Sequence, residues 1–149
     1  SAFPGVDREL VLLSGEGMRL DFADGESVEL RPPHDRHRFA GERELSAELF
    51  NGPTQDFNLM WRRDRVSATL LHRPLVGPML FFSEPGVRWL AYLISGRAMV
   101  KDRLLPMTLE QGDSVLLEPA DHDRIVLEGG GELLLVRVAP LDAAPRSSG

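Results

Sequence analysis

The stretch Asp56-Phe57-Asn58-Leu59-Met60-Trp61-Arg62-Arg63, entered through the turn Asn51-Gly52-Pro53, decides how the rest of the chain is read. Successive side chains of a strand point to opposite faces. A strand here therefore puts Asp56, Asn58 and Met60 on one side and Phe57, Leu59 and Trp61 on the other. The side with Phe and Trp reads as core. The other side carries an acid and an amide next to each other, with Arg62 and Arg63 at the strand's end. If both faces are buried, Asp56 and Asn58 need internal partners, because an unpaired buried polar group costs about 1–3 kcal/mol. Two readings stay open: a structural hydrogen-bond cluster, or the floor of a ligand pocket.

Working outward, the same period of two recurs. Arg8 to Leu13 is a short apolar run closed by Ser14-Gly15-Glu16-Gly17, as in a strand buried on both faces. Met18, Leu20 and Phe22 alternate with Arg19 and Asp21. Asp24-Gly25 then marks a hairpin, and Val28 and Leu30 continue to the stop at Pro32-Pro33. A polar loop, His34-Asp35-Arg36-His37-Arg38, precedes the alternating strand Leu45 to Leu49. On the far side, Ser67 to Leu71 reads as a strand closed by His72-Arg73-Pro74, and Met79 to Phe82 as another between Pro78 and Pro85. Trp89 to Ile94 ends at Ser95-Gly96, and Gln111-Gly112-Asp113 turns into Ser114 to Leu117. Gly129-Gly130-Gly131 reads as a hairpin between Ile125–Leu127 and Leu133–Val138. No window shows the 3.6 period of a helix. Roughly ten to thirteen short strands with frequent turn signals predict an all-β sandwich or barrel with little helix.

At 149 residues, 42% hydrophobic and 27% charged, the chain suits a globular domain. A net charge of −6, with arginines dispersed among acids, argues against nucleic-acid binding. No apolar run approaches the ~20 residues of a membrane helix. No signal-peptide pattern opens the residues given, and the expected compartment is the cytoplasm. Zero cysteines exclude disulfides, thiolate metal sites and a cysteine nucleophile.

The two halves echo each other. Leu13-Ser14-Gly15 matches Ile94-Ser95-Gly96, Leu30-Arg31-Pro32 matches Leu117-Glu118-Pro119, and His34-Asp35-Arg36 matches His122-Asp123-Arg124. Offsets that drift slowly in one direction are what loop insertions in a duplicated unit produce. The expected organisation is residues 1–65 and 66–140 as two halves of one compact unit, with 141–149 a disordered tail. Gly112-Asp113, Pro119 and His122 are similar to the second motif of cupins, so the expected fold is a duplicated cupin-like jelly roll, a bicupin. Of the four histidines (His34, His37, His72 and His122), only His122 stands where a cupin ligand is expected. Histidines 34 and 37 fall in a loop expected to be solvated. Three or four ligands make a metal site; no metal and no cofactor are expected.

Phe3-Pro4-Gly5-Val6-Asp7-Arg8, then Gly52-Pro53 with Asp56-Phe57-Asn58-Leu59-Met60 and Arg62-Arg63, together resemble the HutD/Ves family of small bicupins. Family members also carry an upstream segment with a Trp-Lys-Asn-Gly-Gly-Gly-type stretch that is not among these residues, and two edge strands and part of the pocket are expected to come from it. The resemblance implies a cytoplasmic protein tied to histidine utilisation, or, on the Ves side, to a stress response. It implies a small carboxylate ligand of the formylglutamate or urocanate kind, held in a regulatory role.

The residues themselves agree on one point. The pairs Asp7-Arg8 and Arg62-Arg63 offer, through their arginines, guanidinium forks suited to a carboxylate, and Asp56, Asn58 and Met60 lie beside them. The alternative is that Asp7 pairs with an arginine to lock the entry loop. Period-two alternation lets only one of Arg62 and Arg63 face a given side. Three function classes remain: a ligand-binding regulatory protein, which is preferred; a cupin-type isomerase or lyase acting on the same ligands; and an interaction module without pocket chemistry. The expected partner is the small acid, with no nucleic acid, no membrane and a homodimer left open.

Overall fold

The computed structural model describes residues 2–101 and 105–141, so positions 142–149 of the expected tail lie outside the described residues. Every regular element among the described residues is a strand. Two compact units divide the chain, the first ending at Arg65 and the second starting at Val66.

The first unit holds β1 (Val6–Ser14), β2 (Met18–Phe22), β3 (Ser27–Leu30), β4 (Arg36–Ala40), β5 (Leu45–Leu49) and β6 (Gln55–Arg62). They form two antiparallel three-stranded sheets, ordered β4-β1-β6 and β3-β2-β5. Leu10, Leu12 and Phe39 from one sheet meet Met18, Leu20, Phe22 and Leu30 from the other in a common core. β1 is the centre of its sheet, and its run Glu9 to Leu12 is buried throughout, as the unbroken apolar pattern requires. Asp24-Gly25 makes the expected hairpin between β2 and β3, with the Gly25 N–H donating to the Phe22 carbonyl at 3.0 Å.

One expectation fails here. Part of the polar loop is strand β4, paired with β1 from Asp7↔Ala40 to Val11↔Arg36. His37 and Phe39 point to the core side and stack on each other, their ring centroids 5.9 Å apart, while Phe22 meets both edge-on. His37 is therefore not a solvated loop residue. Arg36, His37, Arg38 and Phe39 already alternate, but the charges hide a strand whose polar side is outermost.

The second unit departs further. It contains β7 (Val66–Phe82), β8 (Arg88–Val100), β9 (Met107–Leu109), β10 (Ser114–Leu117) and β11 (Arg124–Pro140). The sheet order is β10-β8-β11-β7, with β9 on β8. The triglycine is no hairpin: β11 runs through it for 17 residues, and β7 runs 17 residues through Pro74 and Pro78. Likewise β8 continues past Ser95-Gly96 instead of ending there.

Close approach of backbones explains the glycines. Gly131 pairs with Gly96, and Gly129 with Gly77 and Ala98. A Cβ on Gly96 would stand 1.9 Å from the Gly130 carbonyl oxygen, and one on Gly131 would stand 1.9 Å from that of Ser95. Gly96 and Gly131 also take φ of 90° and 135°, outside the extended region, so each strand changes direction there. The prolines are tolerated because β7 ends the sheet order, and an edge strand can lose a ladder N–H. The short strand β9 carries no period long enough to announce it.

The two sequence-matched corners share one backbone feature and differ in another. Among the described residues, the non-glycine positions with left-handed backbone are His34 (φ 66°) and His122 (φ 62°), the matched histidines. In each half the following aspartate carbonyl accepts a distant backbone N–H, Leu12 to Asp35 at 3.0 Å and Ser83, just past β7, to Asp123 at 3.1 Å. Ser14-Gly15, in contrast, ends β1, whereas Ser95-Gly96 lies within β8.

Candidate functional site

Pairing of β1 with β4 and β6 sorts the candidate residues by face. Arg8 stands opposite Phe39 on β4 and Met60 on β6; Leu10 stands opposite His37 and Asn58; Leu12 stands opposite Asp56. Cross-strand partners share a face. This face is the one whose Leu10, Leu12 and Phe39 form the core, so Asn58, Met60 and Asp56 lie along its β6 margin, with Arg8 opposite Met60 on the central strand β1. Asp56, Asn58 and Met60 are exposed there, and Asp56 accepts from the Thr54 hydroxyl at 3.2 Å. They need no internal partners, because the face that carries them is open at β6.

Arg8 itself is half-buried. Its guanidinium carbon lies 5.3 Å from the Phe3 ring centroid and 5.0 Å from that of Phe39, within cation–π range. Its Nε is buried without a hydrogen-bond partner, as is the Nε2 of His37 next to the same phenylalanine. Among the described residues no acid pairs with Arg8, and burial alone pulls its pKa below the ordinary arginine value. A cation held so is short of an anion.

The opposite face shows the reverse. Arg63, just beyond β6, donates to the Val6 carbonyl at 3.1 Å and to Asp7 Oδ1 at 2.9 Å, and it also pairs with Glu42. Glu42 in turn accepts from the Gly5 N–H at 2.9 Å. The Arg63 guanidinium holds the Glu42 carboxyl down at about 2, from an ordinary 4.5. Asp7 and Arg63 thus lock the entry loop to the end of β6. Arg62 shares its side with Val6 and Arg8 by register, but its guanidinium is exposed and lies 3.6 Å from Asp64.

Of the seven candidates, then, Arg8, Asn58, Met60 and Asp56 come together on one face, Asp7 and Arg63 pair on the other, and Arg62 sits at the margin. Sequence reading missed Phe3, Phe39 and His37, which build the surroundings of Arg8. For His37 and Phe39 the signal was the alternation running through a segment read as loop; Phe3 stood only in the opening motif.

Comparison with known proteins gives these residues a context. The HutD family model matches residues 1–135. A Pseudomonas putida protein described as an uncharacterized 21.2 kDa protein in the hutC 3' region is 39% identical over 70 residues, 47% of this chain and 36% of that protein. The chain thus aligns with little more than a third of that relative. Protein Ves of Cronobacter sakazakii is 32% identical over 139 residues, covering 93% of this chain and 72% of Ves. Among solved structures, HutD from Pseudomonas fluorescens, determined in a formate condition, superposes with a TM-score of 0.74 at 24% identity, covering 95% of this chain and 72% of that one. That likeness shows the fold, an all-β cupin-like jelly roll. No helix among the described residues is long and apolar enough to cross a membrane.

Proposed function

The chain belongs to the HutD family, and from that premise we propose that it is a ligand-binding protein of histidine utilisation that holds a small carboxylate against Arg8. The observation that carries this reading is the contrast among the basic residues. Arg19, Arg31, Arg36, Arg43, Arg62, Arg63, Arg65, Arg88, Arg97, Lys101 and Arg137 each lie within salt-bridge distance of an acid. Arg8 has none among the described residues, and unlike the exposed Arg73, which also has none, it is half-buried with a stranded Nε. In a chain of net charge −6, an arginine left without an acid is kept for a negative group that comes from outside.

The chemistry suits a formylglutamate- or urocanate-like acid. The guanidinium fork takes the carboxylate, the Phe3 and Phe39 rings exclude water from it, and Met60 supplies an adaptable apolar wall. Asn58 and Asp56, two residues apart on the same margin, can receive an amide or imidazole N–H. Nothing in this set supplies a nucleophile, so binding rather than turnover is the role proposed, in a cytoplasmic, regulatory setting. The association with histidine utilisation comes from the family and from the relative in the hutC 3' region.

A thermal-shift and calorimetric comparison of formate, N-formylglutamate and urocanate tests this. A ligand at 100 times its Kd adds about 2.7 kcal/mol of stability. Arg8→Ala is expected to weaken binding by about tenfold to a hundredfold, since a charge-assisted hydrogen bond contributes roughly 1.5–3 kcal/mol. The melt without ligand should hardly move, because no acid loses a partner. A large fall in stability with unchanged affinity would return Arg8 to a structural role.

A further inference from the structure

The second unit contains a cavity of about 300 Å³ lined by Leu71, Arg73, Met79, Phe81, Trp89 and Leu135, among others. Leu71, Met79 and Trp89 are the half-buried residues that rim the core of this unit, so the cavity opens directly onto it. Trp89 and Phe81 meet edge to face, their ring centroids 5.4 Å apart. Two charges reach the rim. Glu84 is already held by Arg137 at 2.7 Å. Arg73 donates through Nη1 to the His72 carbonyl at 2.9 Å, and among the described residues no acid pairs with it. A guanidinium carries five N–H donors, so most of this fork is unused.

We propose that this cavity is a second ligand site, distinct from that of Arg8, and that it takes a monocarboxylate with a ring-sized apolar body. The volume lies at the small end of ligand cavities, which suits one ring and a short acid arm rather than a nucleotide or cofactor. Aromatic walls favour a flat ring through edge and offset contacts. With Glu84 neutralised by its own arginine, the uncompensated charge at the rim is Arg73, and a planar fork selects a carboxylate. The preference for an acid over its neutral isostere therefore comes from one side chain.

The test is calorimetric titration of the full chain with 3-phenylpropionate and with 3-phenylpropanamide, repeated on Arg73→Met and Arg8→Met. The acid is expected to bind at least tenfold more tightly than the amide, and Arg73→Met should bring the two together. Since Arg8 is itself proposed to take a carboxylate, the preference for acid over amide must persist in Arg8→Met, where the second site alone remains. Equal affinity of acid and amide for the unaltered chain overturns the proposal, whether or not Arg73→Met folds. So does an acid affinity that survives Arg73→Met, or a preference for the acid that is lost in Arg8→Met, which assigns the probe to the first unit. A cavity that binds neither probe, with the chain dimeric by sedimentation, is covered by a second copy, and the proposal fails.

Discussion

The two units use the same sequence signals for different ends. In the first, Gly15 and Gly25 sit in turns between strands of four to nine residues, Gly25 in open space and Gly15 close against Pro53 and Thr54. In the second, Gly96 and Gly131 lie inside strands of 13 and 17 residues that press together. The first unit therefore builds its core from two small sheets joined by turns, and the second from long strands that change direction at glycine. The lesson is that a glycine marks a backbone constraint, and only the neighbouring chain says whether the constraint is a turn or a contact. Among the described residues each unit also holds an arginine that no acid pairs with, Arg8 by Phe3 and Phe39, and Arg73 at the rim of the cavity lined by Trp89 and Phe81. In that respect the units agree.

The sharpest way to break the contrast is alanine at the two kinds of glycine. Gly96→Ala puts a Cβ into the Gly130 carbonyl and keeps a left-handed φ. It should cost about 3–5 kcal/mol in chemical denaturation, overpacking and strain combined. The second comparison concerns the two faces of β1. Arg8→Lys keeps the charge but loses the fork, and is expected to retain the unliganded melt while weakening carboxylate binding roughly tenfold, about 1.4 kcal/mol by titration. Smaller still is Gly25→Ala, which meets nothing within 4 Å and pays only for its φ of 99°, roughly 1 kcal/mol. An equal loss in Gly25→Ala and Gly96→Ala would erase the distinction between turn and contact.

The smallest effect is one of pH. The Glu42 carboxyl titrates at about 2 in the folded chain against an ordinary 4.5. Between those values the unfolded chain binds the extra proton, so the stability from Glu42 is present above 4.5 and lost as pH falls towards 2. Melting temperatures of Glu42→Gln should fall less steeply over that window than those of the unaltered chain. Parallel curves would mean that Arg63 gains nothing from Glu42, and that Asp7 alone holds the loop.

How much of the site was legible follows from what each residue depends on. The split of Asp56, Asn58 and Met60 from Phe57, Leu59 and Trp61 was readable, because alternation is a property of a single strand. The pairing of Asp7 with an arginine was readable as an alternative, but which arginine was not. Arg63 reaches Asp7 and Glu42 only because β6 lies antiparallel to β1, 56 and 21 positions away in sequence. His37 and Phe39 were lost because a strand with charged outward positions looks like a loop until its partner is known.

By itself the sequence determined the all-β class, the strands of the first unit other than β4, and the family, since each rests on local period, turn chemistry or contiguous motif. Only the tertiary structure decided that the triglycine is a contact, that prolines 74 and 78 lie within an edge strand, and that among the described residues Arg8 stands without an acid while Arg63 has two. Each of these depends on which strand lies alongside. Register between distant segments is set by the packing of a whole face, and no window of sequence contains it.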